Sequence, residues 1–197
     1  MSVFKPDLKE VPEAHKLIRE SLKQCQEVIE ISNLTVCTGG NSFDWVAERG
    51  GAVGEAKDGK TIEVTFNTEL KRWRETLERS TCFAYGQAVY IDRNGSTDYR
   101  WQKLLSIVLG QKFSYKLTES QPEKEELNQE FEKVADDLKE VVEDWNDKFF
   151  QQGDEYPPQF GYVLAKTLVE ELDIQQIIKM GKEDTLKQVE KILEAEN

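Results

Sequence analysis

Apolar and polar positions alternate along this chain in two distinct rhythms, and the first is helical. Leu17, Ile18, Leu22, Cys25 and Ile29 recur at three- and four-residue steps behind Pro12, a residue suited to a first helical turn. This predicts a helix over about 12–31. The rhythm then shortens. Leu34 to Thr38 reads as a strand that stops at Gly39-Gly40, and Gly50 to Ala56 reads as extended chain. Asp58-Gly59 is a turn signal, and Thr61 to Phe66 alternates as a half-buried strand does, so a hairpin is expected beside the earlier strand.

Helical spacing returns after Phe66. Asn67 or Thr68 is placed to cap a helix with Leu70, Trp73 and Leu77 on one face, and the spacing continues from Ser80 to Tyr90 despite Gly86. Asp92 to Thr97 reads as a loop. Tyr99 to Leu117 reads as a helix burying Trp101, Leu104, Leu105 and Val108. The clearest stripe lies within 122–150, where Leu127, Phe131, Val134, Leu138, Val141, Trp145 and Phe149 share one face of an amphipathic helix. The stretch Gly153 to Pro158 breaks it. Helices follow at about 159–172 and 183–195, with a short apolar turn from Ile174 to Met180 between them. The order implies a mostly helical α+β chain with a small sheet towards its N-terminal side. A single domain over 1–197 is expected, with a helix and sheet in 10–67, central helices in 68–117 and C-terminal helices in 118–197.

Composition narrows the partners. The 197 residues carry a formal charge of −12, which argues against binding nucleic acid by phosphate contacts and against anionic membranes. No run is long and apolar enough to span a bilayer, and Met1 to Pro6 lacks the apolar segment of a signal peptide. Three cysteines, Cys25, Cys37 and Cys82, have no framework spacing and suit reduced thiols, so a cytoplasmic setting is expected. The single histidine, His15, sits among Glu13, Lys16 and Arg19 on a helix face expected to meet solvent, where it serves poorly as a general base.

The segment Thr81 to Val89 carries the most specific signal. A zinc-protease helix reads H-E-x-x-H: two histidines one turn apart bind the metal, and the glutamate is the general base. Here those three positions are Phe83, Ala84 and Gln87. Around them, Gly50 to Gly54, the strand Thr61 to Phe66, Trp73 and Leu77 on the approach helix, Tyr85-Gly86 and Ala88-Val89 follow in order, and Pro157 to Val169 supplies a Gly-Tyr-containing helix. Over about 10–195 this order resembles the YjaZ-like predicted zinc-dependent proteases, a zincin-like group. The resemblance implies a zincin-like α+β domain with a buried helix at the former active site. It also implies that Phe83, Ala84, Gln87, Leu109 (loosely aligned with the third ligand) and Tyr162 line that former site. With every ligand replaced, no catalytic residue, metal or cofactor is expected, since apolar filling is the stable solution once zinc is gone.

Other chemistries fare worse on the residues. Asp44, Glu48, Glu55 and Asp92 offer oxygen ligands without the spacing of a calcium loop. Cys82 has no histidine near it in sequence and reads as a small core residue. Ala84-Tyr85-Gly86 has the form of a self-maturing chromophore but lacks the eleven-stranded barrel that chemistry needs. Neither Gly39-Gly40 nor Gly50-Gly51 belongs to a phosphate loop, and Trp45, Trp73, Trp101 and Trp145 are scattered over separate elements. The expected function is a catalytically inactive zincin-like protein whose scaffold binds a small molecule, peptide or protein. Two alternatives are a hydrolase with unorthodox ligands and an acidic protein that docks on a basic partner or mimics nucleic acid.

Overall fold

The alternating run from Thr61 to Phe66 forms the middle strand of a three-stranded sheet, because Ile62, Val64 and Phe66 bury one face while Thr61, Glu63 and Thr65 occupy the other. The structure, a computed structural model, describes residues 11–40, 46, 50–118 and 168–195. Along the chain these form α1 (Val11–Val28), β1 (Thr35–Gly40), β2 (Ala52–Asp58), β3 (Thr61–Phe66), α2 (Trp73–Asn94) and α3 (Arg100–Thr118). A helical turn at 168–171, α4 (Ile174–Lys179) and α5 (Lys182–Ala195) follow. The result is α+β, mostly helical, with a small mixed sheet. The helix read over 122–150, most of the one over 159–172, and Asp44, Trp45, Glu48, Trp145 and Tyr162 lie outside the described residues.

The sheet order is β1-β3-β2. The expected hairpin is present: β2 and β3 are antiparallel, Ala52 opposite Phe66 and Gly54 opposite Val64, with an irregularity between Ala56 and Asp58. Its turn is held by Asp58, whose Oδ1 accepts from the Lys60 N–H at 2.7 Å; that bond also holds the Asp58 carboxyl below its ordinary range. β1 runs parallel to β3, from Thr35 opposite Thr61 to Gly40 opposite Phe66. It therefore continues through Gly39-Gly40, where a stop was expected. Hydrogen bonding to a neighbouring strand outweighs the weak strand preference of glycine here.

Helix α2 is the hub, packed against β2 and β3 on one side, α3 on another, and α1 alongside. It begins later than the capping signals suggest. Asn67 Oδ1 does accept a backbone N–H, that of Glu69 at 3.0 Å, but it closes a turn; the helix starts at Trp73. Those turns set the buried Trp73 ring against Phe66, with centroids 6.3 Å apart. The helix passes unbroken through Gly86 and ends at Gly95, whose φ of 86° suits a residue without a Cβ and whose N–H bonds the Ile91 carbonyl at 2.7 Å. The expected loop thus begins about three residues later than read.

Leu104, Leu105 and Val108 of α3 are buried, as the spacing predicts, and Leu109 and Phe113 are buried with them, whereas Trp101 is only half-buried. The apolar stretch near Ile174 is itself helical. Asp173 starts it with a capping box: its Oδ1 accepts from Gln176 N–H, and Gln176 Oε1 accepts from Asp173 N–H, both at 2.8 Å. Lys112 of α3 donates to the Val169 carbonyl at 2.5 Å, a cation at the end of a helical segment. No described helix is long and apolar enough to cross a membrane.

Candidate functional site

Three faces of α2 meet three neighbours, and Phe83, Ala84 and Gln87 are divided among them. One stripe runs along the outer edge of β2. Thr76 Oγ1 shares its proton between the Arg72 carbonyl one turn before it at 3.0 Å and the Gly50 carbonyl just before β2 at 3.1 Å. Ser80 Oγ donates to the Ala52 carbonyl at 3.0 Å, and Gln87 Oε1 accepts from the Ala56 N–H at 3.2 Å. These residues sit about one helical turn or a multiple of it apart, so side chains of one helix stand in for a missing strand. Gly54 makes the approach close enough: a Cβ there would run into the Ser80 carbonyl and crowd the Ala84 methyl. Ala84 is wholly buried at this contact.

A second face crosses α3. A Cβ on Gly86 would lie 2.6 Å from the Leu109 carbonyl oxygen and 2.7 Å from Gly110 Cα, and one on Gly110 would lie 2.8 Å from the Phe83 carbonyl oxygen. The two helices touch backbone to backbone, with the half-buried Phe83 ring lying over Gly110 and Leu109 fully buried. The third face meets α1. Tyr85 Oη donates to the Ile29 carbonyl at 2.6 Å and accepts from the Ile31 N–H at 3.2 Å. Beside it lie the buried free thiols of Cys25 and Cys82; hydrogen bonding with Cys82, and then burial, push the Cys25 thiol up.

Phe83 and Gln87, the pair at ligand spacing, therefore serve different neighbours. Phe83 and Ala84 have no metal-donor atom in their side chains, and the Gln87 oxygen is bonded to the sheet. These positions do not fit a zinc ion. Among the described residues, no group of three or more His, Cys, Asp or Glu side chains is placed to hold a metal. Of the oxygen ligands considered, Glu55 lies on the outer face of the sheet, where Lys57 bridges it (2.8 Å) and Glu63 (3.0 Å). Asp92 lies near the end of α2, 3.9 Å from Arg93. Cys82 is a buried core residue, and His15 is exposed with its Nε2 3.3 Å from Thr38 Oγ1.

Sequence reasoning missed Thr76 and Ser80, whose role depends on a strand edge 26 and 28 residues away. It also missed Glu78, a half-buried carboxyl raised by burial first and by Glu20 and Glu75 after it.

The two edges of the sheet differ sharply. α2 closes the β2 edge. β1 forms the other edge, and Thr35, Cys37, Thr38, Gly39 and Gly40 are exposed, with Val36 half-buried. Thr35 N–H bonds the Lys60 carbonyl at 2.7 Å, so odd-numbered residues of β1 direct their backbone groups to β3. By strand alternation, Val36, Thr38 and Gly40 direct theirs outward. No described strand lies beyond them.

No protein-family model, curated protein or solved structure matches the chain.

Proposed function

We propose that this chain is a non-catalytic binding module on a zincin-like scaffold. The observation that carries this reading is the use made of Phe83, Ala84 and Gln87. Where a zinc protease would set ligands and a general base into a cleft, this chain sets a ring over Gly110, a methyl under Gly54 and an amide on the Ala56 N–H. Each of these contacts is structural, and none leaves a metal-donor atom free at the three positions. The scaffold then serves by presenting surface.

The deciding experiment is elemental analysis of the purified chain together with a peptide-hydrolysis assay. The expected result is substoichiometric zinc and no hydrolysis that a chelator abolishes. Stoichiometric, chelator-removable zinc with hydrolysis would overturn the reading in favour of a hydrolase with unorthodox ligands.

A further inference from the structure

We propose that β1 is a docking edge that takes an extended, basic segment of a partner protein as an added strand. The inference rests on the non-catalytic reading above and supplies the partner's chemistry. Its first support is the asymmetry of the sheet. An open strand edge presents unpaired donors and acceptors, and folded proteins ordinarily blunt such edges with lysine, proline, inward charges or a covering element. The β2 edge is blunted by α2 through Thr76, Ser80 and Gln87. Among the described residues no strand covers β1, and Thr35-Val36-Cys37-Thr38-Gly39-Gly40 contains no charge and no proline; His15 of α1 reaches the Thr38 side chain and leaves the outward backbone groups unpaired by a strand. A Cβ placed on Gly39 would meet nothing within 4 Å. Among the described residues, the outward N–H and C=O groups of Val36, Thr38 and Gly40 have no strand paired to them and suit the recognition mode in which main-chain bonds give affinity and alternate side chains give specificity.

Charge selects the partner. The residue opposite Cys37 on the outer face is Glu63, and opposite Glu63 stands Glu55. A single ammonium, Lys57, is shared between the two carboxylates, which leaves that row net negative. The chain as a whole carries −12, so two copies meeting edge to edge would repel, whereas a lysine- or arginine-bearing strand would be drawn in. The period of two of a strand then sets the pattern: long basic side chains beside Cys37 on the outer face, reaching across it towards Glu63 one strand further in, alternating with β-branched residues beside Val36 on the inner face. The segment recognised is extended, basic at every second position and apolar between.

The test is fluorescence anisotropy of a labelled peptide of alternating lysine and valine titrated with the full chain. Saturable binding is expected that weakens with salt and is absent for the glutamate-valine analogue. Thr38→Pro removes an outward N–H while leaving the bonds to β3, a change edge strands accept, and is expected to weaken binding by about tenfold or more. Amide exchange on the unmodified protein reads the same contact without a variant: peptide should slow exchange at Val36, Thr38 and Gly40 and leave β2 unchanged. Absence of binding would overturn the proposal, as would binding without protection of those amides, which would mark general attraction to an acidic surface. A peptide-free dimer protecting the same amides would overturn it in favour of a second copy. None of these results bears on zinc content or hydrolysis, so the docking edge and the non-catalytic reading fail separately.

Discussion

The Tyr85 hydroxyl donates to the Ile29 carbonyl across 2.6 Å, joining the middle of α2 to the chain just beyond α1. The same oxygen accepts the Ile31 N–H at 3.2 Å, so one hydroxyl satisfies both a donor and an acceptor where α1 has ended. Its ring packs on Phe113 of α3 with centroids 5.6 Å apart. Tyr85→Phe keeps the ring and strips both bonds. Two backbone groups then lose their partner, and a loss of about 1–3 kcal/mol is expected in urea unfolding at constant slope. An unchanged midpoint would mean that water replaces the hydroxyl at no cost.

That hydroxyl also makes stability sensitive to alkali. Burial raises its pKa from 10.0 to about 12, the Ile31 bond acting in the opposite direction. The folded state holds this proton more tightly than the unfolded chain, so the contribution is whole below pH 10 and is lost as pH rises through about 12. Tyr90, buried with no bonding partner for its hydroxyl among the described residues, is raised in the same sense by burial alone. Unfolding free energy measured across this alkaline window should fall, and should fall less steeply in Tyr85→Phe. Parallel curves for the two proteins would remove Tyr85 as a cause.

The helix crossing of α2 and α3 gives a prediction opposite to intrinsic propensity. In an open helix Gly86→Ala would stabilise by about 1 kcal/mol. Here the new methyl would lie 2.6 Å from the Leu109 carbonyl oxygen and 2.7 Å from Gly110 Cα, backbone atoms that move only if the helices part. Overpacking of this kind costs about 1–3 kcal/mol or more, so a net loss is expected. Gly39→Ala, with nothing within 4 Å of the added Cβ, is the control and should change stability by less than about 0.5 kcal/mol. Thermal melts of the two variants check the pair, and a Gly86→Ala protein as stable as the parent would show that the crossing is looser than these distances.

Much of this architecture is legible from periodicity. The alternation of Thr61 to Phe66 marks β3 and its buried face, and Leu104, Leu105 and Val108 mark the buried side of α3. Boundaries are less legible because tertiary contacts set them: Gly39 and Gly40 are held extended by pairing with Thr65 and Phe66, and α2 waits for Trp73 because its ring packs against Phe66. The candidate site was legible only as a set of positions. That Phe83 and Ala84 carry no metal-donor atom follows from their identities, but the partner of Gln87 is a strand edge 31 residues away, and nothing in local sequence specifies it.

The seal between α2 and β2 makes the last prediction, and a double variant tests it best. Gln87→Ala leaves the Ala56 N–H without its acceptor, and Ser80→Ala leaves the Ala52 carbonyl without that donor. Both contacts are partly buried, so water compensates in part, and each substitution should cost about 0.5–1.5 kcal/mol. Alanine is the better helix former at both positions, which trims the loss by a few tenths of a kcal/mol. The two sites lie seven residues apart on one helix, roughly 10 Å along its axis, and share no partner, so the losses should add to within about 0.5 kcal/mol. Amide exchange gives the distinguishing readout: the Ala56 amide should exchange faster in Gln87→Ala, while Ser80→Ala, which removes a bond to a carbonyl, should leave that amide protected. Equal exchange of Ala56 in parent and Gln87→Ala would show that the edge is closed by packing alone, with Gly54 and Ala84 sufficient to hold the helix against the strand.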